Sequence, residues 1–246
     1  MMKNTSAYRA IADVYEELMD VDYDAWAGYV LSIINEYSPG KKCADLGCGS
    51  GAFTRRFKRA GLDVIGVDVS EEMLTKAAEL TRREGLSITY LRQDVRSFKA
   101  TGRLDCITAV TDCFNYLPGG DLVRTFKRLS SSLVKGGLLF FDVSTEYKLY
   151  NVIGDNLFGE DGEDFSYLWF NRRIEGGVEM DISTFTRQAD GTFIKREEQH
   201  VQYAHTKEQL ISALEESGFE VVRVEGHLGE ALTDESQRLN VIAVRK

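Results

Sequence analysis

The sequence predicts an α/β fold built on a doubly wound, mostly parallel sheet, and three observations carry that prediction. Between Lys41 and Val143, short apolar runs alternate with longer amphipathic ones, the order expected of parallel strands joined by right-handed helical crossovers. A glycine-rich turn, Gly47-Cys48-Gly49-Ser50-Gly51, follows the first of these runs directly. Two more strand-like runs, Phe219 to Val224 and Asn240 to Val244, close the chain and bring the strand count of the sheet to seven. At 246 residues and 43% hydrophobic, the chain can bury one substantial core, so one domain is expected over 1–246.

The elements follow in order. Tyr8 to Tyr37 reads as one or two amphipathic helices carrying Tyr8, Tyr15, Tyr23, Trp26 and Tyr29, an N-terminal cap over 1–40. The core, 41–144, opens with the strand Cys43 to Leu46, the glycine turn, and a helix from Phe53 to Arg59 that Gly61 punctuates. Val64 to Asp68 is the second strand, with a helix from about Glu71 to Glu84 behind it. Ile88 to Leu91 and Leu104 to Val110 are the third and fourth strands. A helix from about Asp121 to Leu133 leads through Lys135-Gly136-Gly137 into the fifth strand, Leu138 to Val143.

Residues 145–205 change character. Val178, Met180 and Ile182 alternate with Glu179, Asp181 and Ser183, the period of a half-buried strand. Asp190-Gly191 supplies a hairpin turn, and Phe193 to Tyr203 returns as the partner. An antiparallel β insertion over one end of the sheet is therefore expected. In 206–246, Thr206-Lys207-Glu208-Gln209 has the form of a capping box, with Gly218 as the helix stop ahead of the closing strands.

Composition narrows the function. Lys plus Arg number 30 and Asp plus Glu 39, a net charge of −9 that disfavours a broad nucleic-acid surface. No apolar run approaches the roughly 20 residues of a membrane span. The segment Met1 to Ala10 is polar, without a signal-peptide core, so a cytoplasmic protein is expected. The four cysteines, Cys43, Cys48, Cys106 and Cys113, form no C-x-x-C pair, and the three histidines all come late, so no metal site is expected. A monomer is the default expectation, and a homodimer through the insertion remains open.

The rim of the sheet carries the chemistry. Asp45 precedes a loop whose glycines permit a tight turn and a close ligand approach, and the helix beyond offers unpaired N–H groups to an anion. The loop reads G-x-G-x-G, which is not the dinucleotide pattern G-x-G-x-x-G. Asp68 ends the second strand about twenty residues past the loop, where a ribose-binding acid falls in this topology. Gln93-Asp94-Val95 ends the third strand and adds an acid and an apolar side chain. Each acid could instead be a helix or turn cap, but the ordered set of three is hard to explain that way.

Asp45-Leu46-Gly47-Cys48-Gly49-Ser50-Gly51, Gly66-Val67-Asp68-Val69-Ser70-Glu71-Glu72-Met73-Leu74 and Gln93-Asp94-Val95 resemble the successive motifs of class I S-adenosylmethionine (SAM)-dependent methyltransferases, over roughly Lys41 to Val143. The resemblance implies SAM as cofactor and S-adenosylhomocysteine as product. It implies that Gly47, Gly49 and Gly51, with Cys48 between them, hold the methionine part, and that Asp68, followed by Val69, holds the ribose. It places Asp94 at the adenine amino group with Val95 beside the base, and has Asp45 orient the loop or the cofactor's amino group. It also implies that the seventh strand, Asn240 to Val244, runs antiparallel beside the fifth.

The acceptor should enter after the fourth strand, at Thr111-Asp112-Cys113-Phe114-Asn115-Tyr116-Leu117. This is not the N/D-P-P-Y/F motif of nucleobase amino-methyltransferases, which weakens a DNA or RNA base-amine reading without excluding other RNA chemistry; the placement of the insertion resembles that in small-molecule N- and O-methyltransferases. Asn115 and Tyr116 are candidates to hold it, and Asp112 or Tyr116 to take a proton; loop packing is the competing explanation. His200 could serve as a base or be a satisfied structural histidine. Tyr8 or Tyr15 could face the sulfonium by cation–π attraction. N- and O-methylation are equally open, and C-methylation is a further alternative. An RNA methyltransferase and a non-catalytic SAM- or S-adenosylhomocysteine-binding protein remain as alternatives.

Overall fold

The computed structural model describes residues 21–246. Tyr8 and Tyr15 lie outside the described residues, so their expected place over the cofactor is not addressed. Helix α1 (Tyr23–Tyr37) begins where the Asp22 carboxylate accepts the Ala25 N–H at 2.9 Å. It buries Trp26, Ala27, Val30, Ile33 and Ile34, one stripe at i, i+3 and i+4 spacing.

The core then alternates as the pattern demands: β1 (Lys42–Leu46), α2 (Ala52–Arg59), β2 (Asp63–Asp68), α3 (Glu71–Arg83), β3 (Thr89–Arg92), β4 (Leu104–Ala109), α4 (Leu122–Ser132) and β5 (Leu133–Ser144). The insertion contributes β6 (Leu157–Asp161), β7 (Phe165–Ile174), β8 (Gly177–Arg187) and β9 (Phe193–Tyr203). Helix α5 (Lys207–Glu216), β10 (Phe219–Glu225) and β11 (Arg238–Arg245) complete the chain. Both reciprocal hydrogen bonds of the Thr206/Gln209 capping box are made, and Gly218 ends the turn at φ +85°.

The main sheet has seven strands in the order β10-β11-β5-β4-β1-β2-β3. Only β11 runs against the rest, antiparallel to both β5 and β10. The insertion is a separate antiparallel sheet, β6-β7-β8-β9. Helices cover both faces of the main sheet, which explains the unbroken apolar runs. In β5, Phe140 packs with the α1/α2 side, against Trp26, Phe53 and Phe57, while Phe141 packs with Phe114, Phe126 and Leu129 on the other. Each fully buried phenylalanine contributes roughly 1.5–3 kcal/mol.

Two boundaries differ from expectation. Lys135-Gly136-Gly137 lies inside β5 rather than before it, with Gly136 at φ +75° and a shift in register against β4 between Leu104 and Cys106. The glycines thus bend a continuous strand. The insertion has four strands where two were expected. Strand β7 puts Leu168 and Phe170 on its exposed side and half-buries Tyr167 and Trp169, so apolar residues on both faces erase the period of two.

Candidate functional site

The carboxyl ends of β1, β2, β3 and β4 share one rim, and the order of the sheet reverses there between β1 and β4. In an open α/β sheet a ligand binds at such a reversal. The glycine loop occupies it. Gly47, Gly49 and Gly51 all have left-handed φ, at +65°, +54° and +79°, a conformation that costs other residues roughly 1–2 kcal/mol.

The three glycines serve different ends. A Cβ on Gly47 would meet Cys113 Sγ at 2.7 Å, and one on Gly51 would meet Tyr90 Oη at 2.5 Å. A Cβ on Gly49 would meet nothing within 4 Å. Gly47 and Gly51 are thus needed for the loop to close on the protein, whereas Gly49 faces open space. Gly49→Ala should therefore destabilise the fold by only about 1–2 kcal/mol of backbone strain while weakening SAM at least tenfold, since the methyl fills the ligand side. Calorimetric titration beside a melting curve would test this, and unchanged SAM affinity would refute the assignment.

Asp68, at the end of β2, is tied into the loop. Its Oδ2 accepts the Gly49 N–H at 2.8 Å and its Oδ1 accepts the Ser70 N–H at 2.9 Å. It is not the cap of α3, because Ser70 Oγ takes that role by accepting the Met73 N–H at 3.2 Å. Burial raises its carboxyl above the ordinary value despite these N–H donors. Each oxygen retains a lone pair for a ligand hydroxyl. Beside it Val69 stands 51% exposed, an apolar side chain at the rim.

Asp94 follows β3 and caps the short turn Val95–Ser97, accepting the Arg96 N–H at 2.8 Å. The Arg96 guanidinium returns on the same carboxylate at 2.5 and 3.0 Å. That side-chain hydrogen bonding holds Asp94 below its ordinary range, against burial. Arg96 was not anticipated from the sequence. Val95 packs half-buried against the core. Cys48 donates its N–H to Val67 O at 3.0 Å, stitching the loop to β2.

Asp45 is the loop's buried anchor. Its carboxylate accepts Thr54 Oγ1 at 2.6 Å from α2 and Thr108 Oγ1 at 3.0 Å from β4. Burial raises its pKa to about 6 against 3.8 in an exposed chain, the two hydroxyls opposing the shift. A carboxyl raised in the fold binds its proton more tightly there, so its ionised form costs stability above about pH 6. The cost is relieved as pH falls toward 4. Asp45→Asn should accordingly gain on the order of 2–3 kcal/mol at pH 8 and lose that advantage near pH 4. Urea unfolding at both pH values tests it; an equal difference at the two would sink the claim.

The segment after β4 is held in an unusual backbone. Thr111 and Asp112 are consecutive non-glycine residues at φ +62° and +63°, a conformation that persists only where the surroundings enforce it. The enforcing group is Asp142, at the end of β5, which accepts the Thr111 N–H at 2.7 Å and the Asp112 N–H at 3.2 Å. Arg238 of β11 donates to Asp112 Oδ1 at 2.5 Å and also to Asp142. Its guanidinium lies 4.6 Å from the Trp26 ring centroid. Burial pushes Asp112 up, but Arg238 and Lys148 outweigh it and hold the carboxyl below its ordinary range. An ion-paired acid so lowered is a poor proton acceptor, which counts against Asp112 as a base.

Asn115 is engaged in the fold as well. It is fully buried, its amide donating to Ser144 O at 3.1 Å and Tyr203 O at 3.0 Å, while its Oδ1 accepts the Ser144 N–H at 2.9 Å. It straps β5 and β9 to the turn Cys113–Tyr116, with both amide N–H donors engaged and the side chain out of reach of solvent. Tyr116 remains on the half-buried side of that turn, its Oη 3.4 Å from His200 Nδ1. His200 Nε2 lies 3.1 Å from Glu198 Oε2.

Among the described residues, no group of three or more His, Cys, Asp or Glu could hold a metal, and no helix is long and apolar enough to cross a membrane.

Comparison with known proteins adds the following. Residues 43–137 match a family profile described as "Methyltransferase domain". The chain is 32% identical over 243 residues to "Putative methyltransferase GWCH70_2453" of Geobacillus sp. (strain WCH70), spanning 96% of this chain and 98% of that one. The crystal structure of an S-adenosylmethionine-dependent methyltransferase from Clostridium acetobutylicum ATCC 824 superposes with a TM-score of 0.89 at 28% identity, covering 97% of this chain and 98% of that one. SAM-bound CalS10, an amino pentose methyltransferase from Micromonospora echinaspora, shares the fold with a TM-score of 0.73 at 19% identity, covering 96% and 97%.

Proposed function

The chain belongs to the class I SAM-dependent methyltransferases, and on that premise we propose that it transfers the methyl group to a nitrogen or oxygen of a small molecule in the cytoplasm. In this reading Gly47, Gly49 and Gly51 shape the methionine end of the cofactor site, with Gly49 admitting it. Asp68 takes the ribose hydroxyls, Val69 and Val95 flank the adenine, and Asp94, fixed by Arg96, accepts the adenine amino group. Asp45 and Cys48 hold the loop in place from behind. Bound SAM supplies a methyl carbon activated by a positive sulfur. The protein's task is to align an acceptor lone pair with that carbon and to keep water out.

The observation that carries the small-molecule reading is where the insertion joins the core. Strand β9 is strapped through Tyr203 to Asn115 and approaches Tyr116 through His200, so the β6–β9 sheet borders the segment where an acceptor enters. A sheet at that point suits a walled pocket better than an open track for a polymer, and the net charge of −9 supports the same choice.

Incubation with methyl-labelled SAM, in parallel with a deproteinised small-molecule cell extract and with total RNA, tests the proposal. Label in the small-molecule fraction is expected. Label confined to RNA would overturn it, and SAM binding with transfer to neither would favour the non-catalytic alternative.

A further inference from the structure

The inner face of β9 is built of polar residues where a strand packed on protein should carry apolar ones. Glu198, His200 and Gln202 occupy successive inward positions and are 5%, 2% and 6% exposed, while Glu197 and Gln199, on either side of Glu198, face outward. Burying an acid and an imidazole costs free energy that well-packed apolar side chains would not. Two of these groups continue into a chain of hydrogen bonds that leaves the insertion and reaches Tyr116 of the core.

We propose that Tyr116, His200 and Glu198 form a proton relay that takes the acceptor's proton during methyl transfer, with Tyr116 as the catalytic residue and His200 and Glu198 as positioning residues behind it. This rests on the methyltransferase reading above. The direction of the relay follows from the donors and acceptors. An ionised carboxylate only accepts, so Glu198 fixes neutral His200 with its proton on Nε2. Nδ1 is then bare and accepts the Tyr116 hydroxyl at 3.4 Å, a contact long enough to tighten when an acceptor docks.

As the acceptor's lone pair bonds to the methyl carbon, the carbon–sulfur pair returns to sulfur and leaves it neutral. The acceptor's proton passes to Tyr116 Oη, and the proton Tyr116 carried goes to Nδ1. The imidazolium so formed faces the buried Glu198 carboxylate. The acceptors served are those whose attacking atom has a proton to lose: a hydroxyl during attack, or a protonated amine that gives its proton to the relay first and so frees the lone pair.

The test has a spectroscopic arm that needs no acceptor. Histidine labelled with 15N should show His200, assigned by its loss in His200→Asn, as the Nε2–H tautomer with a bare Nδ1. Tyr116→Phe should shift the Nδ1 resonance while leaving SAM affinity by calorimetry unchanged. An Nδ1–H tautomer, or a resonance indifferent to Tyr116→Phe, would overturn the relay. In the labelled-extract assay, Tyr116→Phe and Glu198→Gln should lower transfer by about 100-fold or more, the least a general base contributes. Wild-type rates in those variants would equally overturn the relay. Absence of transfer by the wild type would count against the small-molecule reading instead, and the tautomer would then decide the relay alone.

Discussion

Arg238→Met should destabilise the fold by about 3–5 kcal/mol, the cost of leaving buried charges uncompensated. The Arg238 side chain is 13% exposed and pairs with Asp112 and with Asp142, which is fully buried. Without the guanidinium, two carboxylates would face each other in a site that already penalises them. Burial and the Asp112 charge push Asp142 upward even with Arg238 present. Methionine keeps most of the volume against Trp26, so the loss reports charge more than packing. Urea midpoints at constant m-value measure it. The double variant Arg238→Met/Asp112→Asn should recover part of the loss, because one of the two stranded charges is gone. A single-variant loss below about 1 kcal/mol, the range of an exposed pair, would show that the cluster is solvated.

Asp68→Ala should weaken SAM by roughly 1.5–3 kcal/mol, about 10- to 150-fold in Kd, through loss of charge-assisted hydrogen bonds to the ribose. Because Asp68 also accepts the Gly49 N–H, alanine frees the loop, whereas Asp68→Asn can keep that one bond through its amide oxygen. Asparagine should thus bind SAM more tightly than alanine yet less tightly than wild type. Calorimetry with SAM and S-adenosylhomocysteine would order the three. Equal affinity in all three proteins would remove Asp68 from the cofactor site.

The turn chemistry of the candidate cofactor rim was legible in the sequence because its groups are local. Asp45, the three glycines, Asp68 and Asp94 each sit at the end of a strand, and a strand end is set by a few neighbouring residues. The acceptor side was read less well. Asp112 and Asn115 looked like chemistry because a polar residue after the fourth strand is a reasonable acceptor contact. Both are instead satisfied by partners far along the chain, Arg238 and the Ser144 and Tyr203 backbone. No local pattern announces those partners. Likewise Glu198 and His200 lie in a run, Lys195 to Gln202, that is polar almost throughout, so its buried alternation is invisible until the core covers one face.

By itself, then, the sequence determined the order of the elements, the doubly wound sheet with its seventh strand reversed, and the glycine loop with its acids, since periodicity and turn chemistry act over short stretches of chain. Only the tertiary structure decided which polar residues are struts and which remain for chemistry. That distinction depends on whether a buried donor or acceptor finds its partner, and the partners are brought together from opposite ends of the chain.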